Sequence, residues 1–336
     1  MSCGCGCGTV TQVTPAVGTL STEITWRDVL GRWRVRWGMG RMRYAVAPGL
    51  YRVGEPDSKS PVLVTANYKL SVDSVRRHLV GLSAWLLVLD TKGINVWCAA
   101  GKGTFGTEEF VRSIRATNLA GLVSHRNLVV PQLGAVGVAA HEVKGATGFS
   151  VHYGPVRASD LPAYLAAGMR ATEVMRRVRF GWKERLVLAP TEFVNAWPLA
   201  LGALAAVTLL NVAGHRGTAP RLAADAARFL GAIVIGSVVV PLLLPWLPSK
   251  AFSVKGAVAG ALWAAASVAL LPLRTVEAAG SALLITAIAS YLSMNFTGAT
   301  TFTTYAGARL EVRRALPPIL AAAAVGTILR VAAVFV

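Results

Sequence analysis

Hydrophobic positions along this chain change their period part-way. Between residues 60 and 170, short apolar runs alternate with segments of helical period. The runs 61–66 (PVLVTA), 85–90 (WLLVLD), 94–97, 127–130 and 149–153 read as strands, with helices at 72–82, 108–117, 132–143 and 160–168. Thr107 is the expected N-cap of the second helix, with Glu108 and Glu109 in its first turn. Short buried strands alternating with helices predict an α/β layer domain with a mostly parallel sheet, Rossmann-like or barrel-like. Ligands of such sheets sit in the loops at the carboxyl ends of the strands, here those after Ala66, Trp97, Val130 and Tyr153.

Beyond residue 190 the runs lengthen to 193–213, 226–247, 257–273, 278–296 and 317–336. Each approaches the roughly 20 residues that cross a bilayer, so an all-α transmembrane domain of five helices is expected. The predicted organisation is a disordered Cys/Gly tail over 1–25, a soluble domain over 26–185 and a membrane domain over 186–336. The segment Arg32-Trp33-Arg34-Val35-Arg36-Trp37 fits either a strand with arginines on one face, or a basic helix lying on a membrane or packed on the domain.

Composition agrees with this division. The 336 residues are 54% hydrophobic and only 15% charged, with a mean hydropathy of +0.53. Residues 1–190 carry 24 Lys and Arg against 12 Asp and Glu, and the remainder carries 10 against 4. The net charge of +18 comes without an RNA-binding or helix-turn-helix signature, so nucleic acid is not the expected partner. Basic residues instead crowd before the first span, at Arg170, Arg176, Arg177, Arg179, Lys183 and Arg185. By the positive-inside rule this places the soluble domain and Lys250, Lys255 and Arg309–Arg314 in the cytoplasm, with the chain multi-pass in the cytoplasmic membrane. Residues 1–25 lack a signal-peptide pattern, so disulfides are not expected, and cofactor or metal chemistry becomes the better reading of the cysteines.

That chemistry centres on Asn95-Val96-Trp97-Cys98-Ala99-Ala100-Gly101-Lys102. Cys98 is the one cysteine in the folded region, at the start of a small-residue stretch able to form a short helix. A thiol in such a first turn, with Lys102 nearby, suits the metal-binding thiolate, and the small neighbours leave room for a large flat group. An inert buried cysteine fits the spacing equally well. Gly101-Lys102-Gly103-Thr104-Phe105-Gly106 matches G-x-G-x-x-G, but no acidic residue lies in 116–135 where dinucleotide binding needs one. His125, His141 and His152 each read as structural. Cys3, Cys5 and Cys7 are spaced by single glycines, unlike an iron–sulfur run, and offer three soft donors that could capture Hg(II) or simply belong to a solvated tail.

The segment NVWCAAGK resembles the signature of the mercury-methylating corrinoid proteins. Pro48–Tyr51, VLVTANYKL at 62–70, PQLGAVGVA at 131–139, VHYGPVR at 151–157 and NFTGATTFTT at 295–304 extend the resemblance from about residue 26 to 336. It implies a cap helix whose Cys98 thiolate lies beneath the cobalt of a cobalamin-type corrinoid. Thr65, Asn67, Asn95, Val96, Trp97, Ala99, Ala100, Gly101, Lys102, Gly103, Thr104, Pro131, Gln132, Leu133, Gly134, His152 and Tyr153 then surround the cofactor. The soluble domain is also similar to the corrinoid domain of the small subunit of the corrinoid iron–sulfur protein. A thiolate below cobalt pushes charge along the Co–C axis, which suits methyl transfer to electrophilic Hg(II) and formation of methylmercury. The resemblance further implies a folate-type methyl donor and, as reductant, a small ferredoxin with two 4Fe–4S clusters.

Two other functions compete. One keeps the corrinoid but makes the chain a methyl carrier of one-carbon, acetyl-CoA-pathway-like metabolism with another acceptor. The other makes it a transporter of a metal ion or corrinoid, which the scarcity of charges within the spans opposes.

Overall fold

A computed structural model describes residues 17–214, 217–300, 302–303 and 305–335. They form two compact units, one of the residues up to Val35 with Gly40–Val178, the other of Arg36–Met39 with Arg179 onward.

The first unit is built on a six-stranded sheet of β1 (Gly18–Leu20), β2 (Gly49–Val53), β3 (Val62–Ala66), β4 (Ala84–Leu89), β5 (Asn127–Val130) and β6 (Ser150–Tyr153), in the order β1-β2-β4-β3-β5-β6. Strands β4, β3, β5 and β6 run parallel, β2 is antiparallel to β4, and β1 is parallel to β2. β3 and β4 are buried on both faces, which is why VLVTA and AWLLVL carry no polar alternation. One face packs against α4 (Thr107–Ala116) and α6 (Ala140–Thr147) through Phe110, Ile114 and Val143. The other packs against α2 (Lys69–Arg76) and α7 (Leu161–Ala166) through Val72, Val75, Leu161 and Tyr164. α1 (Trp26–Arg36), α3 (Val96–Lys102), α5 (Leu119–Leu122) and α8 (Glu173–Arg176) complete the unit.

Several expectations change. The sheet is open, which removes the barrel-like alternative, and β2 makes it mixed. Residues 18–20 form a strand inside the stretch expected to be a disordered tail. The apolar run 94–97 is the start of α3 rather than a strand, because the Asn95 side chain caps the turn and helix-favouring alanines follow. The helix expected over 132–143 splits into a tight turn at Gln132–Gly134 and α6, since Gly134 and Gly137 press against Phe105. A Cβ on Gly137 would meet the Phe105 carbonyl at 2.3 Å. Gly106, not Thr107, caps α4, and the Thr107 hydroxyl accepts instead from the Ala139 N–H at 2.9 Å.

α1 is a helix, fixed by charge. Lys69 Nζ lies 2.6 Å and Arg76 Nη2 2.8 Å from the two Asp28 carboxylate oxygens, and both cations also pair with Asp73. Gly31 lets the helix approach closely, because a Cβ there would strike the Tyr44 ring. Burial raises the Asp28 carboxyl, but hydrogen bonds from Lys69, Thr25 and Arg76 outweigh it and hold the group well below the usual carboxylate range.

The second unit contains α9 (Trp182–Ala213), α10 (Ala219–Val234), α11 (Val240–Leu243), α12 (Phe252–Leu270), α13 (Thr275–Asn295) and α14 (Tyr305–Phe335). A π turn at Ile235–Val239 joins α10 to α11, widening the helix just where Pro241 removes a donor. Four helices among the described residues are long and apolar enough to cross a membrane: 219–243, 252–270, 275–295 and 306–335. A fifth is reached only if α9, bent by 41° between 198 and 200, counts as one span. α12 and α13 pack through small residues, since a Cβ on Gly256 would lie 2.5 Å from the Ala289 carbonyl oxygen.

Arg228 and Arg330 lie near the ends of apolar runs but do not snorkel out of them; both are buried. Asp225, Arg228, Glu277 and Arg330 are each 4% exposed or less. Asp225 pairs with Arg228 at 2.7 Å and Arg330 at 2.9 Å, and Glu277 pairs with Arg330 at 2.8 Å and with Arg221. Asn211 donates to Asp225 at 2.8 Å, so helices α9, α10, α13 and α14 share one network. In an apolar bundle such charges persist only because they are paired.

Because the Asp28 carboxyl is depressed in the folded state, its contribution to stability is complete above the unfolded value of about 4 and is lost as the pH falls below it. Asp28→Asn is expected to weaken the first unit by about 1.5–3 kcal/mol at neutral pH. The gap between wild type and variant should close as the pH is lowered, measured by denaturant unfolding followed through amide exchange.

Candidate functional site

The site begins with a hydrogen-bonding side chain at the end of β3. Asn67 follows Ala66, its N–H donates to the Leu89 carbonyl at 3.0 Å, and it is 5% exposed. Its side-chain oxygen accepts from the Thr91 N–H at 3.1 Å, the Thr91 hydroxyl at 2.8 Å and the Gly93 N–H at 2.9 Å. These three bonds fold the turn after β4, where Lys92 and Gly93 both have positive φ. Asp90 closes the same turn by accepting from the Lys92 N–H at 3.1 Å and pairing with its ammonium, which holds the Asp90 carboxyl below its ordinary value.

The turn delivers the chain to Asn95, whose side chain accepts from the Cys98 N–H at 2.9 Å and starts α3. Val96, Ala99 and Ala100 face the core, so Trp97, Cys98, Gly101 and Lys102 face outward. Cys98 is a free, exposed cysteine. A Cβ placed on Gly101 or on Gly103 meets nothing within 4 Å, so the space over this face of the helix is clear. Gly103, at φ 79°, ends α3, and the Thr104 hydroxyl lies 3.5 Å from the Ala99 carbonyl. Among the described residues no group of three or more His, Cys, Asp or Glu could hold a metal ion. Cys98 stands as a single soft donor on this open face.

Beside α3, a cavity of about 370 Å³ opens at the carboxyl ends of β3 and β5. This is the switch point of the sheet, since the chain leaves β3 toward β4 on one side and returns to β5 on the other. Of the sequence-predicted residues, Thr65, Asn95, Val96, Trp97, Pro131 and Leu133 line it. Gln132 keeps a buried side-chain oxygen without a partner. Gly134 packs under the Phe105 ring.

His152 Nε2 lies 3.1 Å from the Asn127 side-chain oxygen, and the Tyr153 hydroxyl donates to Val138 at 2.8 Å. Burial raises that phenol. Both belong to the sheet edge, while the neighbouring Gly154 lines the cavity. His125 bonds the Ser60 carbonyl, and His141 is exposed beside Glu142. Cys3, Cys5 and Cys7 lie outside the described residues.

The sequence reading missed the α2 wall of the cavity, formed by Tyr68, Leu70, Ser71, Ser74 and Val75. Its signal was the serine pair at helical spacing, on a face that a packed helix would fill with larger side chains.

Asn67→Ala would leave Thr91 and Gly93 without their acceptor, at a cost of about 2–3 kcal/mol. Amide exchange over residues 91–98 should accelerate at least about 10-fold in that variant, while β3 and β4 change only with global stability. Unchanged exchange in the turn would remove Asn67 from its organising role.

Residues 38–165 match the family described as CO dehydrogenase/acetyl-CoA synthase delta subunit. The acetyl-CoA decarbonylase/synthase complex subunit gamma of Methanopyrus kandleri is 40% identical over 122 residues, 36% of this chain and 26% of that protein. The same subunit of Methanocaldococcus jannaschii is 38% identical over 97 residues, 28% and 20% of the two chains. The corrinoid/iron-sulfur protein large subunit of Moorella thermoacetica is 30% identical over 122 residues, 36% and 27% of the two chains. The chain thus spans about a quarter of the length of the curated relatives it matches. By name these relatives are gamma and large subunits, while the matching family is named for the delta subunit. The α/β unit is therefore similar to one segment of a family of corrinoid proteins tied to acetyl-CoA metabolism, and the membrane-length helices lie outside the matched residues.

Proposed function

We propose that this chain is a membrane-attached corrinoid protein that carries and transfers a methyl group. The observation that carries the reading is an exposed Cys98 on a capped helix with clear space above it, in a unit similar to corrinoid proteins. The residues present fit that cofactor: a soft donor, an open glycine face, an apolar cavity at the switch point and the unpartnered Gln132 oxygen. A bound corrinoid supplies a cobalt centre able to accept a methyl group and hand it on. Cys98, as a thiolate, would hold the cobalt, and Trp97, Gly101, Lys102, Gly103 and Thr104 would form the surface around it. Thr65, Asn95, Val96, Pro131 and Leu133 wall the cavity that would take part of the cofactor, and Gln132 would offer it an acceptor. Asn67, Ala99, Ala100, Gly134, His152 and Tyr153 act as positioning residues behind that surface.

The relatives support a methyl carrier of one-carbon metabolism most directly, and their names as complex subunits support protein partners. Hg(II) as the acceptor is the finer reading. It rests on the segment Asn95–Lys102 and on a thiolate ligand, whose charge donation favours an electrophilic acceptor. In that reading a folate-type methyl donor, a two-cluster ferredoxin as reductant and Hg(II) captured by Cys3, Cys5 and Cys7 complete the system. The second unit holds the protein in the cytoplasmic membrane, with the α/β unit on the cytoplasmic side.

Membranes containing the full-length chain, supplied with methyl donor and reductant, are expected to form methylmercury from Hg(II). Cys98→Ala should lower that rate by about 100-fold or more, since even partners of a metal ligand cost 10–100-fold when lost. Methyl passing only to an acetyl-CoA-forming partner, with none to Hg(II), would select the carrier reading. For topology, a reporter near Lys250 should read as cytoplasmic and one after Val336 as external. If only the four helices from residue 219 onward cross, both readings swap: Lys250 follows a single span and reads external, and the end of the chain follows four and reads cytoplasmic.

A further inference from the structure

We propose that α1 is an interfacial helix that lays the α/β unit on the anionic face of the bilayer. Its orientation on the unit is fixed from behind. Asp28 pairs with Lys69 and Arg76, Gly31 abuts the Tyr44 ring, and Val35 is buried at 3% exposure. These three residues lie on one side of the helix, at about 100° per residue. The opposite side carries Trp26, Val29, Leu30 and Trp33, exposed by 69, 41, 51 and 60%. A helix docked simply to cover its apolar residues would have turned the tryptophans inward. Here the Asp28 ion pairs hold them out.

The rest of the helix names the occupant of that face. Arg27 and Arg34 flank the apolar stripe on one side, and Arg32 flanks it on the other. An apolar stripe rich in tryptophan, bordered on both sides by arginine, matches the depth profile of a bilayer surface. The indole rings sit at the headgroup level, and the guanidinium groups reach lipid phosphate. Anionic lipid complements this charge, whereas α1 carries no second carboxylate besides the half-buried, ion-paired Asp28. The same chain also holds helices long and apolar enough to cross a membrane, so the bilayer is a surface tethered to this unit. The consequence is functional. A unit pinned at α1 as well as by its covalent link cannot tumble freely on its tether, so its exposed cysteine meets partners from a restricted set of directions.

The inference rests on the membrane reading of the second unit, and the two are scored separately. The full-length chain is reconstituted in vesicles of phosphatidylcholine, with or without phosphatidylglycerol. A photoreactive p-benzoylphenylalanine replaces Trp33 or, as an off-helix reference, the exposed Glu55. Illumination should give severalfold more lipid adduct from position 33 than from position 55, and more with phosphatidylglycerol present. Combining Arg27→Gln, Arg32→Gln and Arg34→Gln should return the position-33 yield to its phosphatidylcholine level, with helical circular dichroism unchanged. A chain released from the vesicles by carbonate fails the membrane reading. An embedded chain whose position-33 adducts are with protein alone, or no more lipid-rich than those from position 55, overturns this proposal.

Discussion

One side-chain oxygen organises the candidate site. Asn67 stands at the end of a central parallel strand and accepts three hydrogen bonds from the turn after the neighbouring strand. The turn contains two residues of positive φ, a conformation that a free chain rarely holds. With the turn closed, Asn95 meets the first turn of the next helix, and the helix can only present Cys98 outward with Ala99 and Ala100 inward. Sheet pairing, turn and cap thus form one series, and the position of the thiol is inherited from the register of β3 against β4.

The two units solve opposite solvent problems with similar chemistry. In the first, Asp28 and Asp73 are bridged by Lys69 and Arg76, and the network pins an outer helix onto the sheet layer. In the second, Asp225 and Glu277 are bridged by Arg228, Arg330 and Arg221 within an apolar bundle. Removing one partner there would strand a charge in surroundings that cannot solvate it, so the network fixes the register of four helices. The bundle is therefore more polar at its core than the scarcity of charges along its spans suggests.

The layer architecture was legible because β3, β4 and β5 are continuous apolar runs, and burial on both faces leaves no other pattern. Cys98 was legible through the small residues that follow it. What hid the rest was competition between local signals and packing. Ile94–Trp97 reads as a strand by composition, yet one Asn side chain turns it into a helix start. β2 was missed because an antiparallel strand of five residues, with Arg52 facing outward, carries little periodicity. The role of Asn67 was beyond the sequence, since its partners lie 24–26 residues away and depend on the pairing of two strands. The α1 segment stayed ambiguous between strand and helix because arginine alternates with apolar residues in both. Its docking through Asp28 is a tertiary fact.

The central claim is that Cys98 sulfur binds cobalt. X-ray absorption at the cobalt edge, on the full-length chain loaded with cobalamin, measures that bond directly. The account predicts one sulfur scatterer in the first shell of the wild type, replaced by nitrogen or oxygen in Cys98→Ser at equal corrinoid content. A first shell of nitrogen and oxygen alone in the wild type, or a sulfur scatterer that survives Cys98→Ser, would contradict it.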